Sequence, residues 1–157
     1  MRKRIVGQPE AQQEFAADQP WLDLRQIAAV EVTSEDSRFP VESVFEPGQG
    51  PGWRASEPGE QRIRLVFDQP LSLRRIQLRF HELEIERTQE FTLCWSPPEG
   101  KTVEIVRQQW NFSPSGSTTE IEEYRVNLEA VAVVELSIQP GLGRPDAVAS
   151  LASWRLA

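Results

Sequence analysis

The sequence predicts an all-β fold, an antiparallel jelly-roll-like β-sandwich of about eight strands with one short helix near residues 40–45. Three observations lead there. Apolar residues recur at every second position through most of the chain, the period of a half-buried strand. The periodic runs are separated by clusters of Gly, Pro, Asn, Asp and Ser, which favour turns. One stretch alone, "FPVESVFE", spaces its apolar residues Val41, Val44 and Phe45 for a helix, with Pro40 at its start.

The elements follow in order. Residues 1–24 read as an arm or lead-in, because 7–20 are rich in Gln, Pro and Ala and carry little hydrophobic period. The sandwich domain is expected over 25–157. "AAVEVTS" sets Ala28, Val30 and Val32 on one face, with Ala29, Glu31 and Thr33 on the other. "QRIRLVF" sets Ile63, Leu65 and Phe67 opposite Arg62, Arg64 and Val66. "DQP" is then expected to turn the chain, and "RIQLRF" alternates again, Ile76, Leu78 and Phe80 against Arg75, Gln77 and Arg79. "EFTLCWS" places Phe91, Leu93 and Trp95 together before the turn "PPEGK". "TVEIVRQQW", "EEYRVNL", "VVELSIQP" and "VASLASWRL" complete the pattern. The inner face is expected to hold Ile63, Leu65, Phe67, Ile76, Leu78, Phe80, Phe91, Leu93 and Val134.

Composition narrows the setting. One cysteine, Cys94, allows no intrachain disulfide, and "MRKRIVG" is followed by polar residues rather than the apolar core of a leader, so a cytoplasmic location is expected. No stretch approaches the roughly 18 apolar residues of a membrane span. The net charge of −7 disfavours nonspecific nucleic-acid binding, which needs a positive field. Nearly all of the basic residues are arginines; only Lys3 and Lys101 are lysines.

The succession "VEVTSEDS", "PVESVF", a glycine turn, "GWRAS" and "EQRIRLVFDQPLSLRRIQLRF" resembles the opening of galactose-binding-like β-sandwiches, the discoidin or coagulation-factor C-type domains. "RTQEFTLCWSPPEGK" looks like their next hairpin, and "ASLASWRL" like the closing strand that returns beside the first. The resemblance covers roughly residues 25–157. Two branches are similar: carbohydrate-binding modules with discoidin-type lectins, and the amino-terminal domain of an X-ray-repair scaffold protein, whose sequence resembles "VTSEDS" and "GWRASEPGE". The first branch implies a non-catalytic sugar binder, the second a protein-interaction adaptor. Membrane-binding relatives present apolar spikes in their turns. "EPGQGPG" has none, so no membrane partner is expected.

Candidate ligand residues are Arg54, His81, Trp110, Phe112 and Ser115, each at or just beyond a strand end or in the loop "QQWNFSPSGSTTE". An aromatic ring would cover a sugar's C–H face, and Arg and His would bond its hydroxyls. The expected ligand is a small neutral sugar, because an acidic chain repels acidic glycans unless its arginines take part. A protein partner is the alternative. Trp53, by contrast, is expected to plug the core. "HELEIE" has no recognised metal spacing, and Cys94 stands inside a strand, so no metal, cofactor or catalytic residue is expected. Arg62, Arg64, Arg75 and Arg79 are expected on the outward faces of two paired strands, opposite Glu120, Glu122 and Glu123.

Overall fold

The computed structural model describes residues 20–46, 48 and 50–157; the lead-in expected over 1–24 therefore lies outside it as far as residue 19. The described chain runs α1 (Leu24–Ile27), β1 (Ala28–Val32), a 3₁₀ turn (Val41–Phe45), β2 (Trp53–Pro58), β3 (Gln61–His81), β4 (Arg87–Ser96), β5 (Val103–Phe112), β6 (Thr119–Gln139), β7 (Val148–Leu151) and β8 (Ser153–Leu156). The expected helix is that 3₁₀ turn, which buries Val41, Val44 and Phe45. The single turn α1 was not foreseen; its Leu24 is buried, and Leu22 just before it donates its N–H to the Leu156 carbonyl at 2.8 Å.

Two long strands build both layers. β3 does not turn at Asp68–Gln69–Pro70 but runs on to His81, and the segments "EEYRVNL" and "VVELSIQP" are likewise one strand, β6. The two pair antiparallel throughout, with register shifts between Val66 and Arg75. Pro70 sits in that irregular stretch, where a missing N–H breaks no ladder bond, and Ala130 opposite takes a positive φ of 56°. A shared bulge bends a strand pair. Below it, β3 lies between β1 and β6, and β6 pairs onward with β4, which pairs with β5. Above it, β3 lies between β6 and β8. Phe80 from the upper half stacks on Phe91 of β4, ring centroids 5.3 Å apart, so the two halves face each other across one core.

The closing segment also differs from expectation. It breaks at Ala152: β7 pairs with β2, and β8 pairs with β3 rather than with the first strand. All nine expected core residues are buried. Trp53 is 1% exposed and donates its indole N–H to the Ser34 carbonyl at 3.0 Å, so it holds the fold. Trp53→Phe keeps most of the packing but orphans that carbonyl; a loss of about 1–2 kcal/mol is expected by urea unfolding. Gly52 before it has φ +77°, and a Cβ there would stand 2.7 Å from the Leu151 carbonyl oxygen.

The arginine stripe lies on one continuous strand, not on two paired ones. Arg64 meets Glu31 at 3.4 Å and Glu135 at 4.0 Å, and Arg75 meets Glu123 at 2.5 Å. Glu120 faces inward and takes no part.

Candidate functional site

At one rim of the sandwich the β2–β7 pair meets the end of β3. Arg54 and Ser150 are register partners across that pair, and Arg54 is exposed because its strand alternates around buried Trp53 and Ala55. Arg54 forms no ion pair among the described residues, although its backbone is fixed by Phe39 and Asp36. His81 ends β3, and its Nδ1 lies 2.9 Å from the Thr119 hydroxyl, which leaves Nε2 for another partner. Burial, with the charge of Arg79 behind it, pushes the imidazole below its ordinary pKa, so the ring is neutral at pH 7. Together with Phe39, Glu82, Leu83 and Glu84 these groups line a cleft of about 250 Å³. Leu83 is 69% exposed at its lip.

Glu82 shapes the loop on that lip. Its carboxylate accepts the N–H groups of Glu84 (3.1 Å) and Ile85 (3.4 Å) and the Arg87 guanidinium (2.8 Å). Burial pushes the Glu82 carboxyl up, but Arg87 and the backbone N–H groups outweigh it and hold it below the usual carboxylate range.

Several solved structures share this architecture. The family 32 carbohydrate-binding module of Clostridium perfringens NanJ, in complex with galactose, superposes with a TM-score of 0.64 at 12% identity, over 87% of this chain and 96% of that one. A second Clostridium perfringens module, in complex with GalNAc-β-1,3-galactose, gives 0.66 at 14% identity, over 87% and 99%. The family 32 module of AlyQ, in complex with 4,5-unsaturated mannuronic acid, gives 0.61 at 15% identity, over 88% and 98%. The chain has the galactose-binding-like fold. No protein-family model matches the sequence, and no curated protein matches it as a relative.

Within this galactose-binding-like sandwich, the candidate residues divide. Arg54 and His81 share the cleft. Ser115 is exposed at the tip of the 113–118 loop, 3.0 Å from Ser113 by their hydroxyls. That loop ends beside the cleft, where Glu82 donates its N–H to the Thr118 carbonyl at 2.8 Å. Trp110 and Phe112 are not in the loop. They belong to β5, and the register with β4 sets them against the inward residues Gln89 and Arg87. Phe112 is fully buried with the Arg87 guanidinium 4.7 Å over its ring, so it has no face for a ligand. Trp110 packs against the core, its indole nitrogen buried. The cleft residues missed were Phe39, Glu82, Leu83, Glu84 and Ser150. One signal was available: Leu83 and Ile85 are apolar side chains amid the charges of "HELEIE", just beyond a finished strand.

Behind the Glu82 loop lies a buried polar group. Arg87 donates to the Gln89 amide oxygen (3.0 Å) and the Pro140 carbonyl (2.8 Å), and Gln89 donates to Glu120 at 3.2 Å. Burial first, and the Glu122 charge next, push the Glu120 carboxyl up to about 8.

Proposed function

We propose that the chain is a non-catalytic carbohydrate-binding module that holds a sugar unit between Arg54, His81 and the 82–84 loop. The observation that carries this reading is the convergence of Arg54, a neutral His81 and the apolar surfaces of Leu83 and Phe39 on one rim cleft. A pyranose has an apolar C–H face and a ring of hydroxyls. Leu83 suits the first, and guanidinium and imidazole N–H groups suit the second. The sugars named for the three similar structures, galactose, GalNAc-β-1,3-galactose and 4,5-unsaturated mannuronic acid, support the ligand class. Catalysis finds no support at the thiol: burial and the neighbouring Glu104 and Glu135 push Cys94 up, away from the nucleophilic thiolate.

A glycan array on the purified chain, followed by calorimetry on the best ligand, tests the proposal. Affinity in the millimolar to micromolar range (roughly) is expected, because the cleft is shallow and ordering its loop opposes binding. Arg54→Ala is expected to weaken binding about tenfold or more, the size of one or two lost charge-assisted hydrogen bonds, and to leave melting unchanged. An array without hits, together with a stoichiometric protein partner in a pull-down, would replace the sugar reading.

A further inference from the structure

Next to the sugar cleft lies a second one of about 490 Å³, and the two share Pro51, His81 and Ala152. Its charge comes from Arg79 of β3 and Arg155 of β8. The β3–β8 register pairs Gln77 with Arg155 and Arg79 with Ser153, so the two arginines are diagonal neighbours on the outward face. Such neighbours have Cα atoms about 7–8 Å apart, within reach of one small anion for long side chains.

These two arginines differ from three others on outward strand faces. Arg64, Arg75 and Arg107 each have a carboxylate within 4.0 Å. Neither Arg79 nor Arg155 makes an ion pair among the described residues, in a chain whose net charge is −7. Both are half-buried, which places their charge in the cleft wall rather than in bulk solvent. Arg155 is held in place: its Nη2 donates to the carbonyls of Glu46 (3.3 Å) and Gly48 (3.4 Å). Those bonds use one nitrogen of a guanidinium with five N–H donors, which leaves the N–H groups of Nε and Nη1 for an acceptor. The Glu46 carboxylate faces Gly50 and comes within ion-pair distance of neither arginine. Gly48 and Gly50 also line the cleft and bring no side chain into it.

We infer that Arg79 and Arg155 form an anionic subsite adjoining the sugar cleft, which takes the carboxylate or sulfate of an acidic glycan. This rests on the carbohydrate reading and adds its substrate class: one sugar ring at Arg54 and His81, and an acidic substituent on that ring or the next at Arg79 and Arg155. His81 lies in both clefts, so a single ligand spans them. A guanidinium pair matches the planar fork of a carboxylate and also accepts a sulfate. This inference replaces the expected neutral sugar with an acidic one, the case in which an arginine of the stripe, Arg79, takes part.

The test compares galactobiose, digalacturonic acid and galactose 6-sulfate by calorimetry on the wild type, Arg79→Gln and Arg62→Gln. Arg62 is exposed on the same strand beyond the bulge, and its loss changes net charge by the same amount. At low salt the acidic ligands are expected to bind about tenfold or more tightly than the neutral one, an advantage that shrinks near 1 M salt, where the screening length is about 3 Å. Arg79→Gln should bring the acidic ligands down to the neutral level and leave galactobiose unchanged; Arg62→Gln should change neither. The stronger of the two acidic ligands identifies carboxylate or sulfate as the preferred group. Equal binding of acidic and neutral sugars by the wild type, or equal weakening of both by Arg79→Gln, overturns the anionic subsite alone. Failure of all three to bind overturns it together with the carbohydrate reading.

Discussion

Phe80→Ala is expected to lose about 3–5 kcal/mol of stability, the range for deleting a fully buried aromatic ring from a packed core. Phe80 is fully buried and stacks on Phe91 at an interplanar angle of 30°. Phe80 belongs to the upper half of β3 and Phe91 to β4 in the other layer, so the contact joins the two layers of the bent sheet directly. A domain of this size shifts by roughly 2–4 °C per kcal/mol, so melting should fall by roughly 10 °C or more. Urea unfolding should show a lower midpoint with the slope unchanged. A wild-type midpoint would mean that the ring does not bridge the layers.

The face of each strand was legible because burial on one side imposes a period of two, and every expected core position obeys it. The connections were less legible. Asp68, Gln69 and Pro70 have turn chemistry, but a bulge in a long strand uses the same residues as a turn, for the same reason: neither supplies a ladder bond. Local sequence therefore cannot separate a reversal from a bend. What decides is the partner strand, which bends at Ala130 to match. Trp110 and Phe112 were misplaced for a related reason. Their spacing of two, with Gln109 and Asn111 between, was a strand signal that the following Ser- and Gly-rich loop obscured. The cleft was half legible. Arg54 and His81 stand at strand ends, but Phe39, Ser150 and Leu83 reach them only through the β2–β7 pairing and the loop after β3. Such long-range neighbours leave no local trace.

Glu120 turns inward because it shares parity with Tyr124 along β6, and it leads to the last expected result: stability should fall as pH rises from about 5 to 8. The local chemistry holds one cation, Arg87, and three carboxylates, Glu82, Glu120 and Glu122. Glu82 takes the Arg87 Nε at 2.8 Å, and Gln89 stands between Arg87 and Glu120. Glu120 Oε2 is buried without a hydrogen-bond partner among the described residues, so ionising it would bury a charge that Arg87 does not meet directly. Native Glu120 therefore keeps its proton up to about 8, whereas an ordinary glutamate releases it near 4.5. Between those values the native state binds more protons than the unfolded one, so stability falls steadily as pH rises across the window. The contribution is complete below the unfolded value and lost as pH passes the native one. Glu82, held below the ordinary range, acts in the opposite sense but only at lower pH. Glu120→Gln keeps the shape and one amide to bond Gln89, and cannot ionise. Its unfolding free energy should no longer fall from pH 5 to 8 and should rise slightly through the range where His81, held below its ordinary value, loses its proton, and at pH 8 it should exceed that of the wild type. A direct check is the carbon-13 shift of the Glu120 carboxyl, whose midpoint should lie near 8. If the variant keeps the wild-type slope, the proton belongs to another group, and the buried carboxylate is ionised and paired.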